Sequence, residues 1–433
     1  MSLSDNSNHT PVLGCIADDV TGATDLATNL VQGGMRVMQF LSLRDVETSF
    51  ENVDAVVVAL KTRSVSVADA VGQSLQAVAF LKESGVQKFY FKYCSTFDST
   101  ANGNIGPVAE ALMDELGVSQ TVFCPAFPQA GRTVYQGHLF VGNRLLHESG
   151  MEHHPVNPMT DANLLRVLGA QAKGTVGHLP AVHYSQGPGR VKEELSKLHK
   201  TGASLVVADA CDDTHLTTLA QAVADLPLLT GGSALARYLS GPYRDAQLLK
   251  ENQSTQPFPK LRGRSLILAG SCSCMTNAQV AWMQGKCPVW EIDVPAVMND
   301  ATAELEKIRT WASCVEDQQS LLVASTATPD SVAALQNHFG AAAVAAAVED
   351  FLAEVAAVLT VELNIAQLIL AGGETSGAIV QKLNIQALRI GPEICTGVPW
   401  TEAIGTHRPL SLALKSGNFG SENFFEFALE MLA

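Results

Sequence analysis

Val12–Asp25, VLGCIADDVTGATD, carries a short apolar run, a pair of carboxylates, and then Thr21 and Gly22 opening a helical pattern. A buried strand that hands the chain to a crossover helix through a polar turn reads this way. Val12–Ala17 is therefore expected as a strand and Gly22–Gln32 as the helix after it. The same rhythm continues at Asp54–Leu60, Lys88–Tyr93, Thr121–Cys124, Ser204–Asp209, helix Thr214–Ala224 and Leu226–Thr230, then Gly231-Gly232-Ser233 and a helix through Leu239. Tyr243–Arg264, with Pro257, Pro259 and little periodicity, reads as a linker. Beyond it a second series begins, with strands expected at Ser265–Ala269, Val289–Val294, Ser320–Ala324, Ala366–Ala371 and Leu410–Lys415. The expected fold class is α/β, with two domains, each a mostly parallel sheet with flanking helices, and an active site in the cleft between them. The expected division is a substrate domain over 1–245, a linker over 246–262 and a second domain over 263–433.

Composition narrows the function. The 433 residues are 47% hydrophobic and 16% charged, enough for buried cores and too apolar for a disordered chain. Lys and Arg number 28 against 43 Asp and Glu, a net charge of −15, so no basic stripe exists to bind nucleic acid. The most apolar window, Ala341–Leu359, contains Glu349, Asp350 and Glu354, and is expected as a soluble helix rather than a membrane span. Met1–Pro11 lacks a basic segment followed by an apolar one, so a cytoplasmic protein is expected. The nine cysteines are scattered. Only Cys272 and Cys274 lie close together, and no metal site is expected there.

In open parallel sheets, ligands bind at the carboxyl ends of strands. The first strand delivers Asp18, Asp19 and Asp25 there. One carboxylate is accounted for as a helix cap, but three invite a role as hydroxyl ligand or general base. The second strand ends in Lys61-Thr62-Arg63-Ser64, cations suited to an anion. The third ends in Lys92 and the run Cys94-Ser95-Thr96-Phe97-Asp98-Ser99-Thr100, whose hydroxyls and carboxylate suit a polyhydroxy substrate. The run of His138, His147, His153 and His154 is expected as a surface or substrate-facing loop, since adjacent histidines do not share a face.

The second domain offers three small-residue turns after strands: Gly270-Ser271-Cys272-Ser273, Gly372-Gly373-Glu374-Thr375-Ser376-Gly377 and Ser416-Gly417-Asn418-Phe419-Gly420. Backbone N–H groups at such turns, backed by a helix dipole, cradle anions. Neither G-x-x-x-x-G-K-[ST] nor G-x-G-x-x-G is present, which disfavours a P-loop and a dinucleotide fold. Phosphoryl transfer from a nucleotide to a small polar acid joins the two halves. A non-catalytic sugar-acid-binding protein would need only the first.

ADDVTGATD at 17–25, Lys92 with Asp98-Ser99-Thr100, GGETSG at 372–377 and LKSGNFG at 414–420 together resemble the four-carbon acid sugar kinase family, over about Val12 to Leu432. FKYCSTFDSTANGNIGP at 91–107 and HHPVNPMTDANLL at 153–165 are further similar to its 3-oxo-tetronate branch. The resemblance implies an ATP-dependent kinase acting on the C4 hydroxyl of a 3-oxo-tetronate, with threonate or erythronate as the alternative acceptors. It implies that Asp19, or Asp18 in its place, orients or deprotonates the hydroxyl. Arg63 and Lys92 would hold the carboxylate, and Asp98, Ser99 and Thr100 the hydroxyls. ATP would be met by Ser271 or Ser273, by Gly372, Gly373, Glu374 and Thr375, and by Gly417. Mg2+ is expected to travel mainly on the ATP phosphates. The partners expected are the sugar acid and ATP, with neither nucleic acid nor membrane, and the oligomer expected is a homodimer.

Overall fold

The chain, seen in a computed structural model, is described over residues 10–43, 50–154, 157–250, 258–316, 319–325 and 338–432. It divides into two compact units, Met1–Thr255 and Gln256–Ala433. Both are α/β.

The N-terminal unit is built on strands β1 (Leu13–Ala17), β2 (Val37–Phe40), β3 (Ala55–Ala59), β4 (Lys88–Lys92) and β5 (Thr121–Cys124). After a small hairpin sheet of β6 (Arg132–Tyr135), β7 (His138–Val141) and β8 (Arg144–Leu145) come β9 (Thr175–Leu179), β10 (Ala203–Ala208) and β11 (Leu228–Gly231). The main sheet runs β2-β3-β1-β4-β11-β5-β10-β9, every pairing parallel. All five residues of β1 are buried, as a strand covered on both faces requires. The helix Val20–Gln32 turns Ala23, Leu26, Ala27 and Leu30 inward, one face of a 3.6-residue period. Strand order reverses across β1: the chain passes from β1 to the outer β2, returns to β3 beside β1, and then crosses to β4 on the other side. Ligand crevices form at such switch points.

The C-terminal unit repeats the plan. Its strands are β12 (Arg264–Ala269), β13 (Val289–Glu291), β14 (Leu321–Ala324), β15 (Ile365–Ala371), β16 (Ala387–Cys395), β17 (Val398–Ile404) and β18 (Ser411–Lys415). They run β13-β14-β12-β15-β18-β17-β16, parallel except where β17 meets β18 and β16. Its core gathers Ile267, Leu322, Ile369, Trp400, Phe424 and Phe425. The Trp400 indole Nε1 donates to the Ala428 carbonyl at 2.9 Å, satisfying the polar handle of a fully buried ring. Here too the switch falls beside a central strand, between β12 and β15.

Several sequence expectations need correcting. Tyr243 belongs to the helix Ser240–Asp245 and Arg264 opens β12, so the irregular stretch is shorter than 243–264; its middle, 251–257, lies outside the described residues. Val294 begins the helix Val294–Cys314 rather than ending a strand. The segment after Ser233 is 3-10 helix over Ala234–Tyr238. The helix after the second Gly-rich turn starts at Gly373, placing Glu374 and Thr375 in its first turn. Ala341–Glu362 is a helix, and no helix among the described residues is long and apolar enough to cross a membrane.

Candidate active site

Because β1 lies between β3 and β4, their carboxyl ends deliver Asp18, Arg63 and Lys92 to one edge of the N-terminal sheet. The loop backbones are stitched together there. Asp18 N donates to Lys92 O at 3.1 Å, while Thr62 N and Arg63 N donate to Asp18 O at 2.8 and 3.2 Å. Arg63 then lays its fork on Asp18, Nε to Oδ2 and Nη2 to Oδ1, both at 2.9 Å. Nη2 also reaches Asp19 Oδ1 at 2.6 Å. Burial raises the Asp18 pKa above its ordinary value, opposed by the Arg63 hydrogen bond and the Lys92 charge. Burial also works against the Arg63 charge, but the hydrogen bond and charge of Asp18 outweigh it and keep the guanidinium protonated.

Asp19 caps the helix Val20–Gln32, its Oδ1 accepting from Gly22 N at 3.0 Å. Buried Lys92 holds its ammonium 3.7 Å from that same oxygen. Gly22 is what lets them approach: a Cβ there would overlap both Lys92 Nζ and Asp19 Oδ1. Asp25, further along the helix, is half-buried beside Ser233, whose Oγ donates to Oδ2. Burial raises its pKa, opposed by Lys92 and Ser233.

Asp98 sits on the far side of Arg63, with Oδ2 3.8 Å from Nη1. Phe97 and Asp98 both adopt left-handed backbone, φ 62° and 44°, costly for residues with a Cβ. The loop is held from outside. Gln171 Nε2 donates to Ser99 Oγ at 2.9 Å and to Thr100 O, Met159 Sδ accepts from Ser99 N, and Asn104 Nδ2 donates to Thr62 O at 2.8 Å. The structure thus gathers Asp18, Asp19, Arg63, Lys92 and Asp98, with Ser99 and Thr100 beside them. The Arg63 fork, expected to face a substrate carboxylate, faces Asp18 instead; Nη1 is what remains beside Asp98. Gln171 and Met159 carried no signal in the sequence, being remote in the chain from the loop they hold.

In the C-terminal unit, adjacency of β12, β15 and β18 brings the three small-residue turns together. Gly270 N and Ser271 N donate to Ala371 O at 2.9 and 3.1 Å, and Gly372 N donates to Lys415 O at 2.9 Å. The glycines are needed for close approach: a Cβ on Gly270 would overlap Thr375 Oγ1, and one on Gly417 would overlap Ser271 Oγ. Gly372, at φ 135°, takes a conformation reserved for glycine. A cavity of about 340 Å3 opens here. Gly270, Ser271, Gly372, Gly373, Glu374 and Thr375 line one side, and Val294, Val344, Ala345, Val348 and Glu349 the other. Its size suits a small ligand. Burial, with Glu374 adding to it, raises the Glu349 pKa.

The two serines of the first turn separate by role. Ser273 caps the helix Cys274–Met283, accepting from Thr276 N and donating to Thr276 Oγ1 at 3.1 Å. Ser271 lines the cavity. Behind the turns lies Lys415, fully buried, its ammonium donating to Gly417 O at 2.9 Å, Ser416 O at 3.2 Å and Thr276 Oγ1 at 3.2 Å. Burial lowers its pKa to about 8. The sequence displays Lys415 within LKSGNFG but gives no sign that the chain folds back over it. Among the described residues no group of three or more His, Cys, Asp or Glu could hold a metal ion.

The comparisons agree with this division. A sugar-binding N-terminal domain model matches residues 13–239 and a nucleotide-binding C-terminal domain model matches 266–425. A Pseudomonas fluorescens protein named 3-oxo-tetronate kinase is 48% identical over 99% of this chain and 98% of its own length. Proteins of the same name from Salmonella typhimurium and Haemophilus influenzae are 46% and 44% identical, over 95% and 97% of this chain and 97% and 100% of theirs. A solved Haemophilus influenzae structure superposes with a TM-score of 0.87 at 43% identity, covering 97% of this chain and 100% of that one. A Salmonella typhimurium LT2 structure, described as a "putative tRNA synthase", gives a TM-score of 0.88 at 45% identity, covering 97% and 99%.

Proposed function

The chain belongs to the four-carbon acid sugar kinase family, and from that membership we propose that it transfers the γ-phosphoryl group of ATP to the C4 hydroxyl of a 3-oxo-tetronate. The observation that carries this is the pairing of two unlike sites in one chain. One is a charged, hydroxyl-bearing sheet edge in the N-terminal unit, and the other a glycine cradle with an apolar wall in the C-terminal unit. A sugar-acid sensor would have no use for the second. An acidic chain of net charge −15 is also ill suited to a tRNA.

In the C-terminal unit, the N–H groups of Gly373–Thr375, at the start of a ten-residue helix, would face the phosphates, with the Ser271 hydroxyl beside them. Gly417 would keep its turn close against Ser271. Val294, Val344 and Val348 offer the apolar contact a purine ring needs. Mg2+ bound to the phosphates would neutralise charge developing on the transferred group, and the cavity holds two carboxylates, Glu349 and Glu374, beside its backbone donors.

In the N-terminal unit, Asp18 and Asp19 hold Arg63 and Lys92 in place, and Lys92 with Nη1 of Arg63 supplies positive charge for the substrate carboxylate. Asp98, Ser99 and Thr100 meet the hydroxyls. In-line transfer then requires the phosphoryl group carried by the C-terminal unit to meet the hydroxyl held by the N-terminal one. A cytoplasmic enzyme of tetronate catabolism fits this chemistry. NMR of the product tests the regiochemistry: three-bond coupling between phosphorus and the C4 protons is expected, and a phosphate coupled to any other carbon would overturn it.

A further inference from the structure

Phosphoryl transfer to an alcohol moves a proton. The C4 oxygen forms its bond to the γ-phosphorus, the bond from that phosphorus to the ADP oxygen breaks with its electron pair leaving on ADP, and the hydroxyl proton needs an acceptor. Four carboxylates gather at the N-terminal sheet edge, and they differ in what they have left to offer. Asp25 accepts from Ser233 on Oδ2 and from Asn29 on Oδ1. Both oxygens of Asp18 are taken by the Arg63 fork. Asp19 Oδ1 receives Gly22 N and Arg63 Nη2 and stands 3.7 Å from the Lys92 ammonium, so this carboxylate serves as helix cap and as anchor for both cations.

Asp98 is different. It is 6% exposed, and among the described residues its Oδ1 has no hydrogen-bond partner. A buried carboxylate oxygen left unsatisfied is costly, and such orphans mark places where a ligand completes the set. The neighbours do not fill the gap. Arg63 Nη1 stands 3.8 Å from the other oxygen, near enough to supply charge but beyond a hydrogen bond. His154 Nδ1 lies 3.7 Å from Oδ1, beyond a hydrogen bond, and is engaged by the Asn157 N–H at 3.0 Å. The consecutive left-handed residues Phe97 and Asp98 fix the carboxylate in this position at a conformational cost, and Gln171 and Met159 brace the loop that follows.

We propose that Asp98, rather than Asp18 or Asp19, is the proton acceptor for the attacking hydroxyl, its buried, unpartnered Oδ1 receiving the hydroxyl hydrogen bond in the ground state and the proton as transfer proceeds. The assignment rests on the kinase function proposed above and replaces the expectation that Asp19 fills this role.

The test compares Asp98→Asn and Asp98→Glu with the wild type, following ADP release with a 3-oxo-tetronate and ATP–Mg2+. ATP affinity, acid affinity by calorimetry, and melting temperature are measured alongside. Asp98→Asn should lower kcat by roughly 100- to 1000-fold, within the usual range for a lost general base, while acid and ATP affinities stay within about threefold. Its residual rate should rise with pH, as hydroxide stands in for the missing base, and Asp98→Glu should recover part of kcat. An Asp98→Asn enzyme with kcat within threefold of an active wild type, or one in which only the acid KM moves, would overturn the assignment and leave Asp98 a binding group. A folded wild type that binds ATP but turns over no four-carbon acid would instead overturn the proposed function, and this assignment with it.

Discussion

Asp18 and Arg63 meet through two parallel hydrogen bonds of 2.9 Å each, and the N-terminal site is arranged around that pair. The bidentate geometry is specific to a guanidinium fork. It takes up the two donors that would otherwise face a substrate carboxylate, and beside it lies Asp98, a buried carboxylate whose Oδ1 has no hydrogen-bond partner among the described residues.

Arg63→Ala strands Asp18, 4% exposed, without its cation. Breaking a buried pair by removing one partner costs roughly 3 kcal/mol or more, read as a fall in the urea midpoint. The loss has a pH signature. Burial already raises the Asp18 pKa, and removing Arg63 deletes a pull in the other direction. The folded variant then keeps the Asp18 proton to higher pH than the unfolded chain does. Stability therefore falls as pH rises through that window. The deficit relative to wild type should be smaller at pH 5 than at pH 8; an equal deficit at both would contradict the pairing.

Gly22→Ala tests the close approach of Lys92. The added methyl would overlap Lys92 Nζ and Asp19 Oδ1, so the ammonium must move. Alanine is otherwise a better helix residue than glycine, by about 1 kcal/mol. The expected result is a protein that still folds and binds ATP as before, with kcat/KM for the acid reduced by at least roughly tenfold, the equivalent of 1.4 kcal/mol. Unchanged steady-state kinetics would show that Lys92 has no part in acid binding.

Lys415→Met tests the nucleotide cradle from behind. The ammonium ties Gly417 O, Ser416 O and Thr276 Oγ1 together, and methionine fills similar space without donors. Losing one charge-assisted hydrogen bond in the loop's support, about 1.5–3 kcal/mol, should weaken ATP binding by roughly tenfold or more in calorimetry.

The wild type carries a matching pH dependence. Burial lowers the Lys415 pKa to about 8. Above that pH the folded protein has shed a proton that the unfolded chain keeps until about 10.4. Stability should therefore rise with pH across the window while ATP affinity falls. The affinity change should vanish in Lys415→Met, and its persistence there would assign the titration to another group.

The sequence shows the fold more readily than the working parts of the site. Strands such as β1, β5 and β15 are near-continuous apolar runs because both faces of a parallel sheet are covered, and their ends fall within one residue of expectation. β16 and β17 are harder to read, since 387–404 holds Gly391, Pro392, Gly397 and Pro399 in place of an apolar run. In the site, residue types at strand ends were legible: Asp18, Arg63 and Lys92 arrive together because β3, β1 and β4 are neighbours. Partner choice was not. Whether Arg63 faces a ligand or Asp18, whether Ser271 or Ser273 is spent on a helix cap, and whether an Asp98 oxygen is left unpartnered are settled by ångström-scale loop geometry. No local pattern of residues encodes that geometry.

The most direct measurement is ADP release from ATP–Mg2+ with D- and L-threonate and D- and L-erythronate, each alone and each after oxidation at C3 by a coupled dehydrogenase. The account predicts turnover in the oxidised wells and none with the unoxidised acids. Turnover with an unoxidised acid at an equal or higher rate would contradict the 3-oxo-tetronate assignment, and silence in every well from a protein that binds ATP would contradict the kinase function itself.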